Sequence, residues 1–150
     1  MRRSTLFCLL LFALVGIALP QQLSAQKDLQ IAKVFDTYGK KKGVVMVELS
    51  GGMLSDYNLS LFKSIVINDD PAAGDFIRTC LAADQKGAKK VKQVITSGTL
   101  STIILQLPQQ GKRNRLILFN AASQGKQLTL IYIETEEDVD DALNLLLKKN

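Results

Sequence analysis

Apolar residues recur along this chain in two rhythms, and the change from one to the other falls near Ala88. Before it, Ile31, Val34, Phe35 and Tyr38 repeat at i, i+3, i+4 and i+7, with Gly39 next. That spacing lines one face of a helix and predicts its end. After the triplet Lys40-Lys41-Lys42 and Gly43, the β-branched run Val44 to Leu49 is too short for a helix and reads as a strand closed by Ser50-Gly51-Gly52. Met53 to Leu61 fits either a short helix or a loop, and Phe62 to Ile67 is a second strand. Asn68-Asp69-Asp70-Pro71 then joins capping residues to a proline at the first helical position, while Ala73, Phe76, Ile77 and Cys80 restore the helical face. A helix over 71–84 follows.

Beyond Ala88 four apolar stretches are separated by glycine- or proline-bearing turns, the pattern of an antiparallel meander. The predicted strands are Lys89 to Thr96, Leu100 to Leu107, Arg115 to Ala121 and Gln127 to Glu134, joined by Ser97-Gly98, Pro108 to Asn114 and Ala122 to Lys126. In the first of them Val91, Val94 and Ile95 also suit a helical turn, so residues 88–97 read as strand or helix. The meander strands carry apolar residues on both faces: Ile103, Leu105 and Leu107 oppose Leu100 and Ile104, and Leu128, Leu130 and Tyr132 oppose Ile131 and Ile133. The second face must therefore be covered, by helices, by a second copy in a homodimer or by a partner. The last element is a helix with Thr135 as its cap and Asp138 completing a capping box, acids at its positive end and Lys148 and Lys149 at its negative end. The whole is an α+β fold with a mainly antiparallel sheet, a C-terminal four-stranded meander, helices packed on it and a C-terminal helix.

The first 25 residues differ from the rest. Arg2 and Arg3 precede 14 uncharged, apolar residues from Leu6 to Leu19, and Pro20 breaks the run before Ser24 and Ala25. This is the layout of a signal peptide cleaved after Ala25; the apolar run is too short to span a bilayer, which takes roughly 20 residues. Residues 26–150 then form a single domain of 125 residues with no transmembrane segment, exported to the periplasm or cell envelope. Loss of the leader removes Arg2, Arg3 and Cys8, which lowers the formal net charge from +5 to +3 and leaves Cys80 alone. With one cysteine there is no internal disulfide, and the core must supply the stability. The modest charge and the compartment both argue against nucleic acid.

The chain contains no histidine. Serine–histidine and cysteine–histidine catalysis, histidine-ligated zinc and histidine pH switches are excluded. Charge is unevenly distributed: between Asp84 and Glu134 there is no acid, while Lys86, Lys89, Lys90, Lys92, Lys112, Arg113, Arg115 and Lys126 lie there, and six of the eight residues Glu134 to Asp141 are acidic. One reading is a basic sheet edge meeting an anionic partner, with Lys89, Lys90, Lys92, Lys112, Arg113 and Arg115 as contacts and Lys90 and Lys92 projecting on one side of a strand. The other is a set of lysines that discourage edge-to-edge aggregation. The contiguous acids lack the ligand spacing of a calcium loop and suit a helix start instead. Cys80 shares the apolar stripe of Phe76 and Ile77, which makes it a core residue rather than a nucleophile. Ser50-Gly51-Gly52 lacks the spaced glycines and lysine of a phosphate loop and reads as a turn. Glu48 within its strand suits a sheet edge or an ion pair. No catalytic, metal or cofactor residues are assigned.

The export signal, Val34-Phe35-Asp36-Thr37-Tyr38-Gly39, the strand Val44 to Leu49 and the ending Leu128-Thr129-Leu130-Ile131-Tyr132-Ile133-Glu134 together resemble a Bacteroidota family, domain of unknown function 6108, similar in layout to the larger 4252 set. The resemblance runs from about Leu29 to Leu147. It carries no assigned activity and no functional residue; it implies the periplasm or envelope of a Gram-negative bacterium. Two functions stay open: a non-enzymatic envelope domain binding a protein or an anionic envelope component, and a small-ligand binder or carboxylate enzyme with a cleft that sequence does not reveal.

Overall fold

The computed structural model describes residues 28–148. The predicted leader, with Cys8 and its predicted cleavage point, lies outside the described residues, as does Lys149. Along the chain run α1 (Ala32–Tyr38), β1 (Val45–Ser50), a 3₁₀ helix (Gly51–Tyr57), β2 (Leu61–Asn68), α2 (Pro71–Asp84), β3 (Lys89–Thr96), β4 (Thr99–Gln110), β5 (Arg113–Ala122), a short 3₁₀ turn (Ser123–Gly125), β6 (Gln127–Thr135) and α3 (Val139–Leu147). The strands form one sheet in the order β1-β2-β6-β5-β4-β3, every neighbouring pair antiparallel. The α+β fold with its C-terminal meander is thus what the sequence predicts, and residues 89–96 are strand.

Local chemistry explains the boundaries. Asp70 caps α2 by accepting a hydrogen bond from the Ala73 N–H at 2.9 Å, and Pro71 occupies the first turn. Ser97 and Gly98 both have positive φ, 51° and 76°, as the two-residue turn between β3 and β4 requires. Gly39 ends α1 for a different reason. Its φ is −60°, and a Cβ there would collide with Met46 Sδ and the Phe35 carbonyl, so the residue lets β1 approach the helix end.

Paired residues share a face, and the registers sort the core into two layers. On one side Ile65, Leu130, Tyr132, Ile117, Phe119, Ile103 and Leu105 pack against Ile31 just before α1, Val34 and Phe35 within it, and Ala73, Ile77, Cys80 and Leu81 of α2. On the other, Ile104, Leu116 and Ile133 meet Leu54 of the 3₁₀ helix and Ala142 and Leu143 of α3. Helices lie on both apolar faces, α3 and the 3₁₀ helix covering only part of the second. Each fully buried aliphatic side chain contributes roughly 1.5–3 kcal/mol.

Two expectations are corrected and one open choice is resolved. The loop expected over Pro108 to Asn114 is mostly strand: β4 and β5 run to Gln110 and Arg113, and Pro108 sits at an irregularity between the Leu107–Arg115 and Gln110–Arg113 pairs, where a missing N–H disturbs the ladder least. The cap of α3 is Asp138, which accepts from the Asp140 N–H at 2.8 Å. Thr135 ends β6 instead; its hydroxyl donates to the Asn58 carbonyl at 2.6 Å and accepts from the Glu137 N–H at 3.0 Å. Met53 to Leu61, left open between helix and loop, opens as the 3₁₀ helix, which Ser50-Gly51-Gly52 enters directly.

Candidate functional site

The six basic positions named from sequence do not converge on one surface. Lys89, Lys90 and Lys92 lie on β3, an edge strand whose residues are all exposed. A register shift between Lys90 and Lys92 places Lys90 opposite Leu105 and Lys92 opposite Ile104, which belong to opposite layers of the core. The two lysines therefore project from opposite faces, because the irregularity breaks the alternation assumed in the sequence. Lys112 occupies the β4–β5 turn and is exposed. Arg113 is half-exposed and pairs with Glu134 at 3.2 Å. Arg115 is buried, 3% exposed, and bonded inward.

Around Arg115 the sheet holds an interior polar chain. Its guanidinium donates from one nitrogen to both carboxylate oxygens of Asp28, at 2.9 and 3.1 Å, and from Nε to the Tyr132 hydroxyl at 3.0 Å. The Tyr132 hydroxyl donates to Glu134 Oε1 at 2.8 Å, and Glu134 Oε2 accepts from Arg113. Burial, with Glu134 adding and Arg115 opposing, raises the Tyr132 phenol far above the ordinary tyrosine range. Burial works against the charge of Arg115, but its hydrogen bonds to Tyr132 and Asp28 hold the guanidinium above its usual value. Nearby Asp84 accepts from the N–H groups of Gln30 and Ile31 at 2.7 and 2.8 Å, clasping the start of α1 to the end of α2. Burial lifts its carboxyl above the usual range although those two bonds work the other way. The roles of Tyr132 and Glu134 escaped the sequence reading, yet a signal existed: period-two alternation puts both on the face of Leu128 and Leu130, and puts Arg115 with Ile117 and Phe119.

Other candidates take structural places. Glu48 lies on the β1 edge and pairs with Lys63 at 3.3 Å. Cys80 is buried, and burial together with nearby Asp84 raises its thiol despite Lys33. The acidic run divides between Glu134 in the core, Asp138 at the cap and Asp140 and Asp141 in the first turn of α3. Among the described residues no group of three acids, cysteines or histidines is placed to hold a metal ion. Nor is any helix among them long and apolar enough to cross a membrane.

Among the described residues, three openings in the surface stand out. A polar one of 380 Å³ lies at the start of α2, where Asp70 is engaged as the cap and Asp75 pairs with Arg78 at 3.7 Å. A smaller one of 200 Å³ lies between Asn58, Thr135 and Asp141. The largest, 520 Å³, is a groove on the α3 side of the sheet. Leu49 of β1, Phe62 of β2 and Ile131 of β6 form its floor; Leu54, Tyr57 and Leu59 form one wall, and Leu145 and Leu146 of α3 the other. Lys148 is the one charged residue in its lining. Leu145 and Tyr57 stand 41% and 50% exposed at the rim, so the groove is open to water. None of the interior polar chain lines any of the three openings.

The chain belongs to DUF6108, a family of unknown function whose model matches residues 18–146. Among curated proteins, none matches it.

Proposed function

We propose that this DUF6108 member is a non-enzymatic binding module of the cell envelope that takes an anionic amphiphile, an apolar chain with a negatively charged end, into the groove beside α3. The observation that carries the reading is the groove itself: 520 Å³, walled by leucine, isoleucine, phenylalanine and tyrosine, with Lys148 as its single charge. Small-molecule sites are clefts of about 300–1,000 Å³, mostly apolar with few polar groups that fix orientation. The apolar walls would gain roughly 25 cal/mol for each Å² of ligand removed from water, and the lysine would orient the charged end. Export is supported by the leader over 1–25. A binding rather than catalytic role is supported by the shifted groups Tyr132, Arg115 and Asp84, which satisfy one another or backbone away from every opening described. The lysines of β3 lie at the opposite edge of the sheet from β1 and serve to guard that edge.

Titration with a dansylated undecanoic acid tests the reading. One saturable site is expected, lost in Leu145→Glu, and Lys148→Glu should weaken the acid several-fold while leaving a neutral long-chain alcohol unaffected. The absence of saturable uptake, or uptake indifferent to Leu145→Glu, would overturn it.

A further inference from the structure

The two edges of the sheet are built in contrasting ways. β3 carries three lysines, and its register shifts twice, at Lys90/Lys92 and at Val94/Ile95, which bends the strand and interrupts its exposed Val91, Val94 and Ile95. Natural sheets use these devices to prevent pairing with another chain. β1 has none of them. Its six residues pair with β2 in unbroken register from Val45↔Val66 to Ser50↔Leu61, without lysine, proline or bulge. Val45 is 60% exposed, Met46 and Val47 are each 38% exposed, and among the described residues the strand has no neighbour beyond it in the sheet.

We infer that β1 is a homodimer edge, where a second copy of this chain adds its own β1 antiparallel across a two-fold axis and continues the sheet. The sequence of the strand is complementary to itself in one register. With Val47 opposite Val47 of the copy, Val45 falls opposite Leu49 and all three residues on the groove side of β1 find apolar partners. The same register puts Met46 opposite Glu48, whereas a slip that centres the axis on Glu48 sets like charges face to face. Glu48 is already neutralised by Lys63, so the edge presents little net charge to the copy. The flanks select the antiparallel direction. Exposed Lys40, Lys41 and Lys42 lead into β1 and exposed Asp56 follows it, so each basic triplet runs toward the acid-bearing 3₁₀ segment of the other copy. A parallel pairing would bring triplet against triplet. This inference rests on the edge and not on the groove reading, since neither the register nor the charge argument requires a ligand.

The test is made on protein purified from expressing cells with the natural leader encoded, by light scattering between 1 and 100 µM. A dimer is expected, with Val47→Lys monomeric and its circular dichroism unchanged. In a Cys8→Ser background, Val47→Cys should oxidise to a covalent dimer while Val91→Cys, on the guarded edge, should not; buried Cys80 does not compete. The cross-link keeps the inference testable if Val47→Lys fails to fold. A monomer throughout, or a dimer that forms without a cross-link at Val47→Cys, would overturn it. Apolar-probe uptake by a monomer would leave the groove reading standing.

Discussion

Tyr132→Phe removes one oxygen from the interior of the sheet and nothing else. The ring lies fully buried among Ile65, Ile117 and Leu130, and phenylalanine keeps that packing. What is lost is the hydroxyl that accepts from Arg115 Nε at 3.0 Å and donates to Glu134 Oε1 at 2.8 Å. Both partners are buried, at 3% and 1% exposure, so water does not readily replace it. Hydrogen bonds to charged groups contribute about 1.5–3 kcal/mol each. Because Asp28 and Arg113 still hold the two ends, the two losses are not fully additive, and the expected destabilisation is about 3 kcal/mol. For a chain of this size that lowers Tm by roughly 10 °C. Urea unfolding followed by circular dichroism is the assay, since the protein has no tryptophan. A loss below about 0.5 kcal/mol at unchanged m-value would refute the view that the hydroxyl joins the chain's two ends. The pH dependence provides a second check. The folded phenol is raised above its ordinary 10.0, so the stability it contributes is complete below pH 10 and declines as pH rises through that window toward the folded value. Wild type should therefore lose stability above pH 10 faster than Tyr132→Phe, and the gap between them should narrow.

Asp28→Ala removes the outer partner of Arg115. Because the Asp28 side chain is 53% exposed, the expected loss is about 1 kcal/mol rather than the several seen for fully enclosed pairs, and its effect should couple with that of Tyr132→Phe in a double-mutant cycle by urea unfolding. Lys90→Thr with Lys92→Thr should leave the melting temperature within about 2 °C of wild type, since both side chains are exposed. It should nevertheless increase the rate of aggregation, measured by turbidity on mild heating; an unchanged rate would show that the lysines do not guard the β3 edge.

Where local chemistry decides structure, the sequence was legible. Asp70-Pro71 fixed the start of α2, Ser97-Gly98 fixed a hairpin, and apolar residues on both faces of the meander called for cover on both, by helices, a second copy or a partner. The misreadings came where a tertiary contact or an irregular register overrides the local pattern. Thr135 looks like a helix cap, but it still belongs to β6, opposite Asn114 of β5, and its hydroxyl is taken by Asn58. Lys90 and Lys92 look alike until one extra residue in the strand turns them apart. Arg115 belonged to a basic stretch in one dimension and to a buried chain in three, because its partners Asp28 and Tyr132 are 87 and 17 residues away.

The groove was hidden for a related reason, and geometry accounts for its existence. Leu49, Phe62, Ile131 and Leu145 come from four separate elements, so no local spacing marks them. The sheet is six strands wide, roughly 24 Å at about 4.8 Å per strand interval, while the nine residues of α3 span only about 14 Å. A helix that short cannot close an apolar face that broad, and the 3₁₀ helix with its one buried side chain, Leu54, closes only part of the remainder. The surplus is visible on α3 itself. It is apolar at Ala142, Leu143, Leu145, Leu146 and Leu147, yet Ala142 and Leu143 alone are buried. A core satisfied by this coverage would have had no use for leucine at the exposed positions 145 and 147, each open to water by two-fifths or more. The unfilled apolar surface is therefore set by the lengths of the elements, and the residues that border it are those the fold leaves open to the amphiphile proposed above.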